Sequence, residues 1–192
     1  MNPHPMSQRR RPALAAMAAL LLAPGLPAQA QDGGCPGAPG PRPAGTLLSV
    51  HGAGDAPQAL NADALSALPT TQLTQRQTVS GAGAATGPGS ERSTVWSGVL
   101  LRDVLLQAGF GGAQDRGARG AVVEALASDG YRALFSWGEL FNHPAGEQVL
   151  VVRGVDGRAL DAQAGPLALR ALADLRPGPR HVRNLCAVRI VR

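Results

Sequence analysis

Apolar and polar positions along this chain change period every ten residues or so, and each change marks a short element. The one clear helical stripe is Leu101, Val104, Leu105 and Ala108, spaced i, i+3, i+4 and i+7. That spacing puts them on one face, leaves Arg102 and Asp103 off it, and places Gly109 where helices end. Asn61–Leu68 predicts a second, shorter helix with Asn61 as its cap and Pro69 as its stop. Ser136 and Glu139 have capping-box spacing for a third, running through Leu140. Between these lie runs with strand character. Thr46–Val50 is stopped by Gly52 and Gly54, Thr71–Val79 alternates and is rich in Thr and Gln, and Ser93–Trp96 is extended. Ala121–Ala127 and Tyr131–Phe135 flank the turn residues Ser128-Asp129-Gly130 and form a hairpin. Gln148–Arg153 is a further strand before the turn Val155-Asp156-Gly157-Arg158, and His181–Val191 reads as the last one. Gly81–Ser90 is a Gly/Ala/Pro loop. Short strands and helices in mixed order, without a β-α-β rhythm, predict an α+β domain.

The first 30 residues follow a different pattern. A polar start ending in Arg9-Arg10-Arg11 leads into the apolar run Ala13–Ala23, which Pro24, Gly25 and Pro27 break before Ala28-Gln29-Ala30. Eleven helical residues reach only about 16 Å, against a hydrocarbon core of about 30 Å. The segment is therefore expected to be a secretory leader over 1–30, followed by a flexible Gly/Pro-rich lead-in over 31–45 and one domain over 46–192. Both the general secretory and the twin-arginine routes remain open. The expected compartment is periplasmic or extracellular.

Composition narrows the chemistry. All 18 basic residues are arginine, and without Arg9, Arg10 and Arg11 the net charge falls from +5 to +2. The arginines are scattered and aromatics make up only 3% of the chain, so nucleic acid is excluded as a partner. There is no apolar stretch long enough for a membrane span, and nothing in the sequence identifies a protein partner. Cys35 and Cys186 are the sole cysteines. In an oxidising compartment they are expected to form a disulfide between the N-terminal tail and a C-terminal strand, the alternative being two free thiols. His51, His143 and His181 form no metal-binding spacing. His51 and His181 are candidates for polar groups in a pocket, as are Asp129 and Tyr131 for a cleft wall, and Trp96 and Trp137 read as packing residues. Gly81-Ala-Gly-Ala-Ala-Thr-Gly87 lacks the lysine of a phosphate loop, no Gly-x-Ser-x-Gly elbow occurs, and the acids are too dispersed for a carboxylate pair. No metal site and no catalytic residue is assigned.

A set of segments taken in order carries more information than any of them alone. They are Trp96-Ser-Gly-Val-Leu-Leu-Arg-Asp-Val-Leu105, Ser128-Asp-Gly-Tyr-Arg132, Phe135-Ser-Trp-Gly-Glu-Leu140, Val155-Asp-Gly-Arg-Ala-Leu160, Gly165-Pro-Leu167 and Arg180-His-Val-Arg-Asn-Leu185. In this order the chain resembles the oxidoreductase molybdopterin-binding domain, the sulfite oxidase-type fold, over nearly all of the expected mature protein. The resemblance implies a mixed β-structure with short helices and a molybdopterin cofactor whose metal is gripped by a cysteine thiolate after an early strand. The corresponding stretch here, Gln75-Arg-Gln-Thr-Val-Ser-Gly81, has no cysteine and offers only the hard hydroxyls of Thr78 and Ser80. The resemblance places basic residues for the cofactor's phosphate arm at Arg180 and Arg183, with Asn184 beside them, where the guanidinium fork suits phosphate oxygens. The expected function is an exported domain of this fold that binds a pterin cofactor or similar small anion, its redox catalysis left open. If it is an enzyme, it is a molybdopterin-dependent oxidoreductase. The alternative is a cofactor-free periplasmic interaction or accessory module.

Overall fold

The computed structural model describes residues 34–53, 56–79, 90–112, 115–176 and 178–192. The expected leader, Ser80 and Gly81–Gly89 of the loop lie outside the described residues. Among the described residues eleven strands and three short α-helices follow one another as β1 (Leu48–His51), β2 (Gln58–Leu60), α1 (Ala62–Ser66), β3 (Thr71–Val79), β4 (Ser90–Leu100), α2 (Leu101–Gln107), β5 (Val122–Ala127), β6 (Arg132–Ser136), α3 (Trp137–Phe141), β7 (Val149–Val155), β8 (Arg158–Ala159), β9 (Ala168–Ala171), β10 (His181–Val182) and β11 (Leu185–Val191), with 3₁₀ turns at Arg116–Gly120 and Pro144–Gln148.

The strands form two sheets. One has the order β2-β1-β11-β5-β6, and the other β10-β9-β7-β4-β3 with β8 paired to β7. β1 and β11 run parallel and the remaining pairs antiparallel. Period-two alternation turns Leu48 and Val50, Val123 and Ala125, and Val188 and Ile190 of the first sheet toward Val99, Val149, Val151 and Leu169 of the second. Together they make one core. α2 adds the stripe of Leu101, Val104 and Leu105, all buried. It ends as its sequence predicts: Gly109 takes φ +84°, its N–H bonds Leu106 O, and Phe110 N–H bonds Leu105 O. Asn61 caps α1 by accepting from Ala64 N–H at 2.9 Å. Ser136 caps α3 by accepting from Glu139 N–H.

Both outer faces are also covered. Residues 34–47 hold no strand or helix, but they are not a loose lead-in. A disulfide joins Cys35 to Cys186 on β11, and Arg189 Nη1 donates to Gly37 O at 3.0 Å. Ser49 and His51, which alternation turns away from the core, are consequently buried too. On the second sheet, Leu73, Trp96, Leu100, Leu150, Val152, Leu160 and Ala168 form an outer apolar layer.

Several expected boundaries move. The first strand starts two residues later than Thr46, because Thr46 N–H is taken by Pro43 O in a turn. The single strand expected over His181–Val191 is two. Arg183 and Asn184 interrupt it, with Asn184 at φ +48°, and the chain switches from one sheet to the other there. β2 and β9 carry no sequence signal of their own: β2 is only three residues long, and β9 lies in the largely apolar stretch Leu167–Leu172 without clear alternation. No helix among the described residues is long and apolar enough to cross a membrane.

Candidate anion-binding site

The sheet switch between β10 and β11 determines where the chemistry collects. β9 and β10 pair with Arg170 directly opposite His181, so both side chains rise from the outer face of the second sheet, beside its apolar layer. β4 brings Trp96 to the same face and β3 brings Gln75. The Arg170 guanidinium carbon lies 4.2 Å from the Trp96 ring centroid, a cation–π distance. Arg170 Nη2 donates to Gln75 Oε1 at 3.3 Å, and Trp96 Nε1–H donates to the same oxygen at 3.2 Å. Arg170 Nη1 donates to His181 Nδ1 at 3.2 Å. Arginine has no acceptor, so the His181 proton sits on Nε2.

Arg170 is only 9% exposed. Among the described residues no carboxylate lies within 4.0 Å of it, whereas Arg102, Arg132, Arg180, Arg189 and Arg192 all have one. Burying an uncompensated charge is costly. The cost shows in its titration: burial, then the nearby Arg183 charge, pulls the Arg170 pKa down. His181 is pushed down to about 4, first by burial and then by Arg170 and Arg183.

His181 and Arg183 form a wall shared by two hollows. One, of about 140 Å³, is lined by Trp96, Leu160, Asp161, Gln163, His181 and Arg183. The other, of about 310 Å³, is lined by Asp129, Tyr131, Gly178, His181 and Arg183. The two carboxylates at the rims serve backbone groups, Asp161 accepting from Ala164 N–H at 2.7 Å and Asp129 from Tyr131 N–H at 2.8 Å.

The three residues expected at a phosphate arm fare differently. Arg183 lines both hollows and has no carboxylate within 4.0 Å among the described residues. Arg180 is engaged elsewhere. Asp174 takes its Nε and Nη2, Glu139 takes Nη1, and the guanidinium lies 4.8 Å above the Phe135 ring. Its bonds to Asp174 and Glu139 raise its pKa further. Asn184 is a turn residue whose N–H bonds Ala164 O and whose Nδ2 bonds Gln163 O. It also rests against Gly165, where any Cβ would meet Asn184 Oδ1. Tyr131 lines the larger hollow and donates its hydroxyl to Pro179 O, which ties down the loop ahead of β10. His51 lies on the other sheet against Ser49, and His143 caps a 3₁₀ turn, so neither joins His181. Trp137 stacks on Phe141, as a packing residue should. Arg170 and Gln75 were missed by the sequence reading. The available signal was a single charge within the apolar run Leu167-Ala-Leu-Arg-Ala-Leu172.

An α+β domain built of one mixed and one antiparallel sheet with few short helices is the fold of a molybdopterin-binding domain of sulfite oxidase type. The model of the oxidoreductase molybdopterin binding domain family matches residues 38–192, and the chain belongs to that family. Among solved structures it is similar to the sulfane dehydrogenase SoxCD from Paracoccus pantotrophus, at 17% identity and a TM-score of 0.54. That match covers 74% of this chain and 37% of the other, so this chain spans little more than a third of that protein's length. No curated protein sequence matches.

The family's cofactor can be tested against the residues present. For an anionic arm they fit, because Arg170 is a buried cation lacking a counter-charge among the described residues and Arg183 stands beside it. For a thiolate-held metal they do not. Both cysteines are joined in the disulfide, and neither lines the two hollows. The stretch that the resemblance sets against the thiolate, Gln75–Gly81, holds no cysteine, and a hydroxyl is a poor substitute for a soft thiolate.

Proposed function

We propose that the protein binds a small anionic ligand, such as the phosphate arm of a pterin cofactor, in the cleft between Arg170, His181 and Arg183, and that it carries out no molybdenum redox turnover. The observation behind this reading is Arg170 itself: a buried guanidinium, stacked on Trp96, with neutral acceptors for partners and, among the described residues, no carboxylate within 4.0 Å. An incoming oxyanion supplies the missing counter-charge, and the planar fork of each arginine matches two of its oxygens. Trp96 backs the Arg170 plane from behind, and His181 Nε2–H adds a neutral donor. We further propose that the protein acts outside the cytoplasm. The leader pattern supports this, as does a disulfide that an oxidising compartment would preserve.

Calorimetric titration tests the binding claim, with a phosphorylated pterin and inorganic sulfate as separate ligands. The expected result is saturable binding of at least one, with Trp96 fluorescence changing in step, and its loss in Arg170→Met. That replacement keeps an unbranched side chain beside Trp96 while removing the guanidinium that stacks on it and its uncompensated charge, so it is expected to fold at least as stably as the parent. Binding of the pterin alone would assign the cleft to a cofactor, and binding of both to oxyanions generally. Undiminished binding by a folded Arg170→Met protein would refute the proposal.

A further inference from the structure

We propose that anion capture in this cleft is coupled to uptake of one proton by His181, which makes the site an acid-strengthened anion receptor; this rests on the anion-binding reading above. The geometry requires a choice at His181 Nδ1. In the structure this nitrogen accepts from Arg170 Nη1 at 3.2 Å, and the same guanidinium uses Nη2 on Gln75. While Nδ1 accepts, it holds one of the Arg170 donors away from the cleft. An anion placed against the His181–Arg183 wall competes for that donor. When Arg170 Nη1 turns to an anion oxygen, Nδ1 is left facing a negative charge with no proton of its own. Taking a proton from solvent resolves both defects, because His181 becomes a cation with two donors, one of them available to the anion. The balance is simple: neutral imidazole and one solvent proton become imidazolium, and no other bond is made or broken.

The charges around His181 agree on the direction. Arg170 faces it from β9 and Arg183 from the turn after β10. These two cations, together with burial, keep the free ring neutral. Asp129 and Tyr131 from the β5–β6 turn line the larger hollow, and Asp161 lines the smaller one with Trp96 of β4. The adjacent Arg180 is already neutralised by Asp174 and Glu139. A bound dianion cancels the charge of these two cations, so the histidine pKa rises on binding. By linkage, affinity then increases as pH falls through the interval between the free and bound values, by at most about tenfold per pH unit for one proton. An arginine-only cleft has no such slope, since guanidinium does not titrate in that range.

The test uses the full chain as exported and sulfate as the probe, because sulfate stays a dianion between about pH 4 and about pH 8, a range that includes the free His181 value. The His181 ring resonances are assigned by their absence in His181→Gln and titrated with pH, with and without saturating sulfate. Backbone amide shifts at Arg170 and Arg183 report occupancy independently. The expected result is a rise of the His181 pKa by at least about one unit on binding, equivalent to about a tenfold preference of sulfate for the protonated site. His181→Gln is expected to flatten the pH dependence of sulfate affinity. If the amide shifts saturate while the His181 titration stays in place, the proton coupling is wrong and the anion site stands. If neither sulfate nor phosphorylated pterin binds at any pH tested, both readings fall.

Discussion

Arg170 and Arg180 are both partly or fully buried arginines, yet the structure gives them opposite tasks. Arg180 is closed on itself by Asp174, Glu139 and Phe135, so it fixes the loop before β10 and thereby the position of His181 and Arg183. Among the described residues Arg170 has only neutral hydrogen-bond partners, and on the reading proposed above its counter-charge comes from a bound anion. The distinction yields a test. Arg180→Ala leaves two carboxylates facing each other without their cation and is expected to cost about 2 kcal/mol of stability. Anion affinity should fall only through the loosened loop. Urea unfolding and calorimetry on the same variant separate the two effects. Unchanged stability with abolished binding would return Arg180 to the role the family resemblance implied for it.

At the scale of elements, α2 makes the clearest case. Its stripe, its terminating glycine and the burial of Phe110 behind it all agree, and each is local. Gly109→Ala places a β-carbon at φ +84° and is expected to lower the unfolding free energy by about 1 kcal/mol, read from the urea midpoint. A neutral result would mean the helix end relaxes without strain. The same locality explains what could be read from sequence and what could not. Asn61, Ser136 and the Asp129-Gly130 turn act within three or four residues of themselves, so their signals lie in the sequence. β9 and the break at Asn184 depend on partners far away. Arg170 faces His181 only because β9 and β10 pair, and Asn184 turns only because Ala164 and Gln163 bond it. Arg183 was recognisable from the resemblance, and its neighbours Arg170 and Gln75 were not, because they come from strands 95 residues apart.

Across the whole molecule, one core between two sheets supports a site that lies on neither inner face. The sheet switch at Arg183-Asn184 opens the cleft, and β11 then crosses to the far sheet, where Cys186 is fastened to Cys35 at a separation of 151 residues. By chain-entropy reasoning such a link stabilises the fold by up to about 5 kcal/mol. It also commits both cysteine thiols to structure, and among the described residues neither lines the two hollows; on the reading proposed above, a ligand there is held by charge. The most direct check is to count molybdenum per chain in protein exported by cells with an ample supply of the cofactor. The expected value is far below one atom per chain, with the disulfide intact. A stoichiometric, tightly retained molybdenum atom would contradict the account.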